Sequence, residues 1–170
     1  SLYANEVLGF NEVKSAQLGT AALWMRPVFA VLAGFLADRI KSPSKVVVSC
    51  FILMALGGTW MFFMSEGRAV WLVVLILMST LAGVYAIRGV YFALMEEAKI
   101  PIVLTGTAVG LISVIGFTPD VFASPAMGYV LDEYPGEEGH QLIFLGLALF
   151  AIIGMITTWG FRRYTRTREN

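Results

Sequence analysis

The chain predicts an all-α, polytopic membrane helix bundle, and three observations lead there. Hydrophobic residues fill 58% of its 170 positions and charged residues only 14%, against about 45–50% and about 25% in soluble globular domains. Mean hydropathy is +0.76. The apolar residues gather into five runs, each near the roughly 20 residues that cross about 30 Å of hydrocarbon as a helix. None of the runs alternates with the period of two that a membrane barrel strand requires. Inside lipid a backbone must satisfy its own hydrogen bonds, so continuous helices follow.

Residues 1–15 open on Ser1 and are mixed polar, with no apolar core of a signal peptide. They read as the extracytoplasmic end of a preceding span and its loop, within a longer chain. The first span, 16–37, carries Arg26 followed by Pro27, with Ala22, Ala30, Ala33 and Ala37 along the same face and Gly34 beside them. Small residues at that spacing let another helix approach closely. A charge at the centre of a span costs about 2.5–3.5 kcal/mol on insertion scales, so it faces protein or a wet cavity. Arg26 therefore either pairs with a carboxylate or carbonyl and locks packing, or serves a solute.

The loop at 34–45 concentrates charge, with Gly34, Asp38, Arg39, Lys41 and Lys45. It is either the wet end of a hairpin or a latch between moving helices. The second span, 46–64, has no charged residue, and neither does the apolar body of the fifth span, 141–161. In the third, 69–92, Tyr85, Arg88 and Phe92 share a face that continues to Glu96. Arg88 either snorkels to the near interface or lines a path.

The fourth span, 103–130, holds Gly106 and Gly110 as a GxxxG pair, a stripe through Ser113, Phe117 and Asp120, and prolines at 119 and 125. A bent or locally broken helix is expected there, because proline removes a backbone donor. Asp120 either faces water near the outer interface or sits on a transport path. A basic tail, 162–170, closes the chain.

Orientation follows from lysine and arginine. One side collects Arg39, Lys41, Lys45, Lys99, Arg162, Arg163, Arg166 and Arg168, while the other holds Lys14 and Arg68 beside Asp132, Glu133, Glu137 and Glu138. The positive-inside rule places the first group, and the carboxyl terminus, in the cytoplasm. The expected location is the plasma membrane, which is the inner membrane in a bacterium. The first, third and fourth spans carry charge and the second and fifth do not, which predicts three inner helices and two peripheral ones facing lipid.

Composition also excludes functions. One cysteine, Cys50, and one histidine, His140 in a polar loop, leave no disulfide framework and no metal or nucleophile–base set. Asp120 has no evident carboxylate partner within the spans, so an intramembrane enzyme is not expected, nor is a cofactor. The basic tail reads as a topology signal and headgroup contact, not as a nucleic-acid site.

The segment GFLADRIKSPSK, set between two spans on the cytoplasmic side, resembles the loop signature of the major facilitator superfamily, roughly Gly-x-Leu-x-Asp-Arg-x-Gly followed by basic residues. Gly34, Leu36, Asp38 and Arg39 match, Lys41 stands where the second glycine is usual, and Ser42 and Pro43 stand where basic residues are expected. Arg26-Pro27, Arg88-Gly89 and the glycine- and proline-rich fourth span extend the likeness across essentially the whole chain. The resemblance implies the eighth to twelfth spans of a twelve-span carrier, with the ninth and twelfth outermost.

It further implies a secondary transporter, a symporter or antiporter, that moves a small solute by alternating access together with an amino-terminal half outside this sequence. Asp38, Arg39 and Lys41 would form a cytoplasmic gating latch. Arg39 and Lys41 would pair with Glu96 or Glu97. Arg26, Tyr85, Arg88 and Asp120 would line the solute or proton path, and two arginines favour an anionic or hydroxyl-rich solute. A non-transporting membrane subunit that pairs with another helical protein is the alternative.

Overall fold

A computed structural model describes residues 2–63 and 69–167. Ser1, the last residue of the expected second span (Met64), Arg68, Arg168 and the side chain of Arg166 lie outside that description. Among the described residues the fold is all-α, and five helices are long and apolar enough to cross a membrane. The elements are α1 (Leu2–Glu6), α2 (Glu12–Ile40), α3 (Pro43–Phe63), α4 (Val70–Val90), α5 (Leu94–Glu97), α6 (Thr105–Glu133) and α7 (Glu137–Thr167). A 3-10 turn, Tyr91–Ala93, joins α4 to α5, so the third span extends to Glu97.

Local chemistry explains where the helices outrun the apolar runs. α2 starts at Glu12 rather than 16 because the Asn11 side chain accepts from the Lys14 N–H at 2.9 Å, and Glu12 lies in the first turn where a carboxylate is favoured. α7 continues through Thr167, so Arg162 and Arg163 belong to its last turns and not to a separate tail. The Arg163 guanidinium sits 3.9 Å over the Trp159 ring one turn earlier, and cations suit a helix carboxyl end. Of the two forms expected for the fourth span, bent or locally broken, the break does not occur: Pro119 and Pro125 lie inside a continuous α6, as Pro27 does inside α2. Each proline removes one rung, and the surrounding rungs carry the helix past it.

Packing within these five spans shows which helices meet one another. α3 packs most extensively on α7, the other span expected at the periphery, then on α4, and touches α2. Its small residues make this possible. A Cβ added at Gly58 would lie 2.9 Å from the Phe144 carbonyl oxygen and 3.1 Å from the Ala148 nitrogen, both backbone atoms of α7. α2 packs on α4 through Ala33, Ala37, Ala86 and Val90, in one core with Val46, Val47 and Cys50 of α3. α6 has no buried residue within these spans. Freedom from charge marks what a helix tolerates in lipid, whereas burial needs a facing surface that fits.

The end of the bundle near His140 has its own clasp. Tyr3 stands edge-on to His140 and Phe144, with ring centroids 5.2 and 5.4 Å away, and His140 Nε2 meets Glu6 Oε2 at 3.0 Å. Tyr3 lies outside the five spans, and burial, with the Glu137 carboxylate, pushes its phenol up to about 12. It therefore stays neutral beside two acids. Met61, Val73 and Phe144 form the core beneath.

Candidate functional site

Two groups of charged residues are assembled by this fold, one at the end that carries the 34–45 loop and one in mid-span. The first begins with a backbone turn. Lys41 follows the last turn of α2 in the left-handed conformation, φ 52 and ψ 34, and its N–H reaches the Asp38 carbonyl at 3.3 Å. Lys41 thus adopts the geometry that glycine would supply at this position. Pro43 then opens α3, where its missing N–H costs nothing.

Glu97 closes the turn from the other side. Its carboxylate accepts the Ser44 backbone N–H at 2.8 Å and the Ser44 hydroxyl at 2.6 Å, while Ser44 is fully buried. An acid from α5 thereby caps the positive end of α3. This corrects the expected pairing of Arg39 or Lys41 with Glu97: among the described residues no such ion pair forms with Glu96 or Glu97. A rigid pair of donors at the helix start serves the carboxylate in place of a flexible cation.

Four of the residues expected to form a latch nevertheless converge. Asp38, Lys41, Glu96 and Glu97 line one open pocket of about 450 Å³ with Ala37, Pro43, Ala93 and Lys99. Gly34 and Arg39 lie away from it on α2, and a Cβ at Gly34 would meet nothing within 4 Å. Ser44 and Lys99 were missed by sequence reasoning. Ser44 had a signal, since Ser42-Pro43-Ser44 directly after a charged helix end is a helix-start signature. Lys99 repeats the Lys41 turn with φ 53, closing a Schellman motif through Lys99 N–H to Glu96 O at 2.9 Å and Ile100 N–H to Met95 O at 3.2 Å, with Pro101 behind it.

The mid-span group is built where α2 meets α4. A Cβ at Gly89 would lie 2.6 Å from the Ala30 carbonyl oxygen, so the two backbones touch there and only glycine fits. Ala33 and Ala37 share a core with Val90, Ala93 and Leu94, so α2 and α4 run parallel. One turn back from Ala30 and Gly89 stand Arg26 and Tyr85, at the same level of the two helices. Arg88 does not snorkel to an interface. Its Nη2 meets Asp120 Oδ1 of α6 at 2.5 Å, with both side chains partly exposed. Asp120 is accordingly paired rather than simply hydrated. Arg26 is exposed and engages no hydrogen-bond or ion-pair partner among the described residues.

Known proteins with similar sequences carry the same kind of segment. Inner membrane protein YqcE of Escherichia coli strain K12 is 30% identical over 98% of this chain and 40% of its own length. Inner membrane protein YihN of the same organism is 34% identical over 75% of this chain and 31% of its own length. An uncharacterized protein of Mycoplasma pneumoniae is 23% identical over 87% of this chain and 75% of its own length. The chain spans less than half the length of the two curated Escherichia coli relatives it matches. No family model and no solved structure matches.

Proposed function

We propose that these helices are part of a secondary transporter of the major facilitator type, which moves a small solute across an inner membrane by alternating access. The observation that carries this reading is α6. It is a 29-residue apolar helix with no buried residue, joined to α4 by the Arg88–Asp120 ion pair and otherwise in only limited contact with α7. A face of that kind suits a neighbour that moves against it, and the remainder of a chain more than twice as long, as in the Escherichia coli relatives, would supply one. Their names support the inner membrane, and the lysine and arginine distribution supports a cytoplasmic carboxyl terminus.

On this reading the pocket at Asp38, Lys41, Glu96 and Glu97 is the cytoplasmic latch, and the Glu97–Ser44 clamp is its fixed side. Asp38 is its releasable side, aimed at the other half. Arg26, Tyr85, Arg88 and Asp120 line the path.

The test uses the whole protein with Cys50 replaced by serine and a reporter cysteine at Ser113 or Phe117, on the α6 stripe. An impermeant thiol reagent is expected to label the reporter from both sides in oppositely oriented vesicles, and Asp38→Asn is expected to shift the balance between sides. Labelling from one side only, unmoved by Asp38→Asn, would remove the carrier reading.

A further inference from the structure

The three charges that α2, α4 and α6 hold within their spans do not cancel. Arg88 is neutralised by Asp120 at 2.5 Å, which leaves the charge of Arg26 over. Arg26 is exposed among the described residues. It lies on the stripe of Ala30, Ala33 and Ala37, spaced by three or four residues, and that stripe is the surface of α2 that meets α4. Where Ala30 touches Gly89 the helices are closed, and one turn farther along, at Arg26 and Tyr85, both side chains carry polar ends at one level. Tyr85 and Arg88, three apart, share a face of α4.

A guanidinium presents a planar fork of donors that matches a carboxylate or phosphate group two bonds at a time. A phenol donates to the same oxygens. An uncompensated arginine in a span calls for a counter-anion, and no residue described here provides it.

We infer that Arg26 is the binding group for an oxyanionic solute, one that bears a carboxylate, sulfonate or phosphate. Tyr85 donates a second hydrogen bond, and Asp120 holds Arg88 out of competition. This deepens the carrier reading above and rests on it. It also separates two roles: Arg26 selects the solute, and the Arg88–Asp120 pair ties α6 to the bundle.

The experiment measures thermal unfolding of the whole purified protein, in uncharged detergent so that no anionic headgroup is present. The additives are inorganic phosphate, sulfate, gluconate and glucose 6-phosphate, with glucose and choline as uncharged and cationic controls. At least one anion is expected to raise the midpoint in a saturable way, and the controls are not. Arg26→Gln is expected to weaken the apparent Kd at least tenfold, and Arg26→Lys, which keeps the charge but loses the fork, by less.

Absence of any anion effect would overturn the inference, because a carboxylate from the rest of the protein then serves as the counter-charge. An effect unchanged in Arg26→Gln would overturn it as well. Flux in vesicles separates the two readings. Anion binding without flux keeps the site and removes carriage. Flux of an uncharged solute that Arg26→Gln leaves intact keeps carriage and removes the anion site.

Discussion

α3 and α6 are entered through the same turn and meet opposite fates. Each is preceded by a lysine in the left-handed conformation, Lys41 or Lys99, with a proline two residues on: Pro43 is the first residue of α3, and Pro101 leads through a 3-10 turn into α6. Both are apolar enough to span a bilayer. Yet α3 buries eight residues from Ser44 to Met61 and α6 buries none. Glycine content does not separate them, since α6 has Gly106, Gly110, Gly116 and Gly128, each with nothing within 4 Å of an added Cβ. The difference lies in what faces the small residues. In lipid there is no hydrophobic drive between helices, so a helix is held by shape and by polar contacts. α3 has shape against α7 and α4, whereas α6 has one ion pair to α4 and a small contact with α7.

The contrast is broken most forcefully at a glycine. Gly58→Val adds atoms where two backbone groups of α7 stand 2.9 and 3.1 Å from the new Cβ, and neither can step aside. Overpacking of this kind costs about 1–3 kcal/mol and sometimes more. Gly110→Val in the same 170 residues adds the same atoms to open space and should stay within about 0.5 kcal/mol. Thermal unfolding of the two variants in detergent checks the pair. Equal losses would mean that α6 is packed after all, and the account of the two helices would fail.

The next effect concerns the tether. Asp120→Ala leaves Arg88 charged and alone in a span. Losing one partner of a fully buried pair costs about 3–5 kcal/mol, and partial exposure of both groups reduces this to about 1–2 kcal/mol. α6 should then separate from α4 while α3, α4 and α7 remain together. Cross-linking by a bifunctional thiol reagent between cysteines placed at Tyr85 and Ala123, each one turn from the ion pair toward the same end of the two antiparallel helices, reports the separation as a lower yield. The exchange Arg88→Asp with Asp120→Arg should restore the yield, and failure of that exchange would assign the pair a role other than tethering.

How much of this was legible beforehand depended on range. The five spans are local facts of length and hydropathy, so they emerged nearly whole, and a cap such as Asn11 or a stacked pair such as Trp159–Arg163 moved only the ends. The latch residues were legible as a group because Lys41 ends α2 and Glu97 ends α5, which places them at one end of the bundle. Their partners were not legible. Counting charges pairs Glu97 with a lysine or arginine, because the donors it actually meets, the Ser44 amide and hydroxyl, carry no formal charge. The fit of Gly58 to Ala148 was not legible either, because it is a property of two distant segments. Arg88 and Asp120 were both chosen for their cost in lipid, and nothing in their spacing along the chain joins them.

The smallest effect returns to the shared turn. A residue with a Cβ in the left-handed region costs roughly 1–2 kcal/mol relative to the right-handed one, and glycine avoids that cost while losing more freedom on folding. Lys41→Gly should therefore raise stability by about 0.5–1 kcal/mol, seen as a higher unfolding midpoint. Lys99→Gly changes the same torsion, φ 53 against φ 52. Its gain should be smaller in the cooperative transition, because the helix it leads into contributes little buried surface to that unit. Hydrogen exchange resolves the two: slower opening across α3, α4 and α7 for Lys41→Gly, and slower opening confined to the first turns of α6 for Lys99→Gly. If Lys99→Gly protects the whole bundle as well, α6 is coupled to it by more than Arg88 and Asp120, and the freedom proposed for that helix is lost.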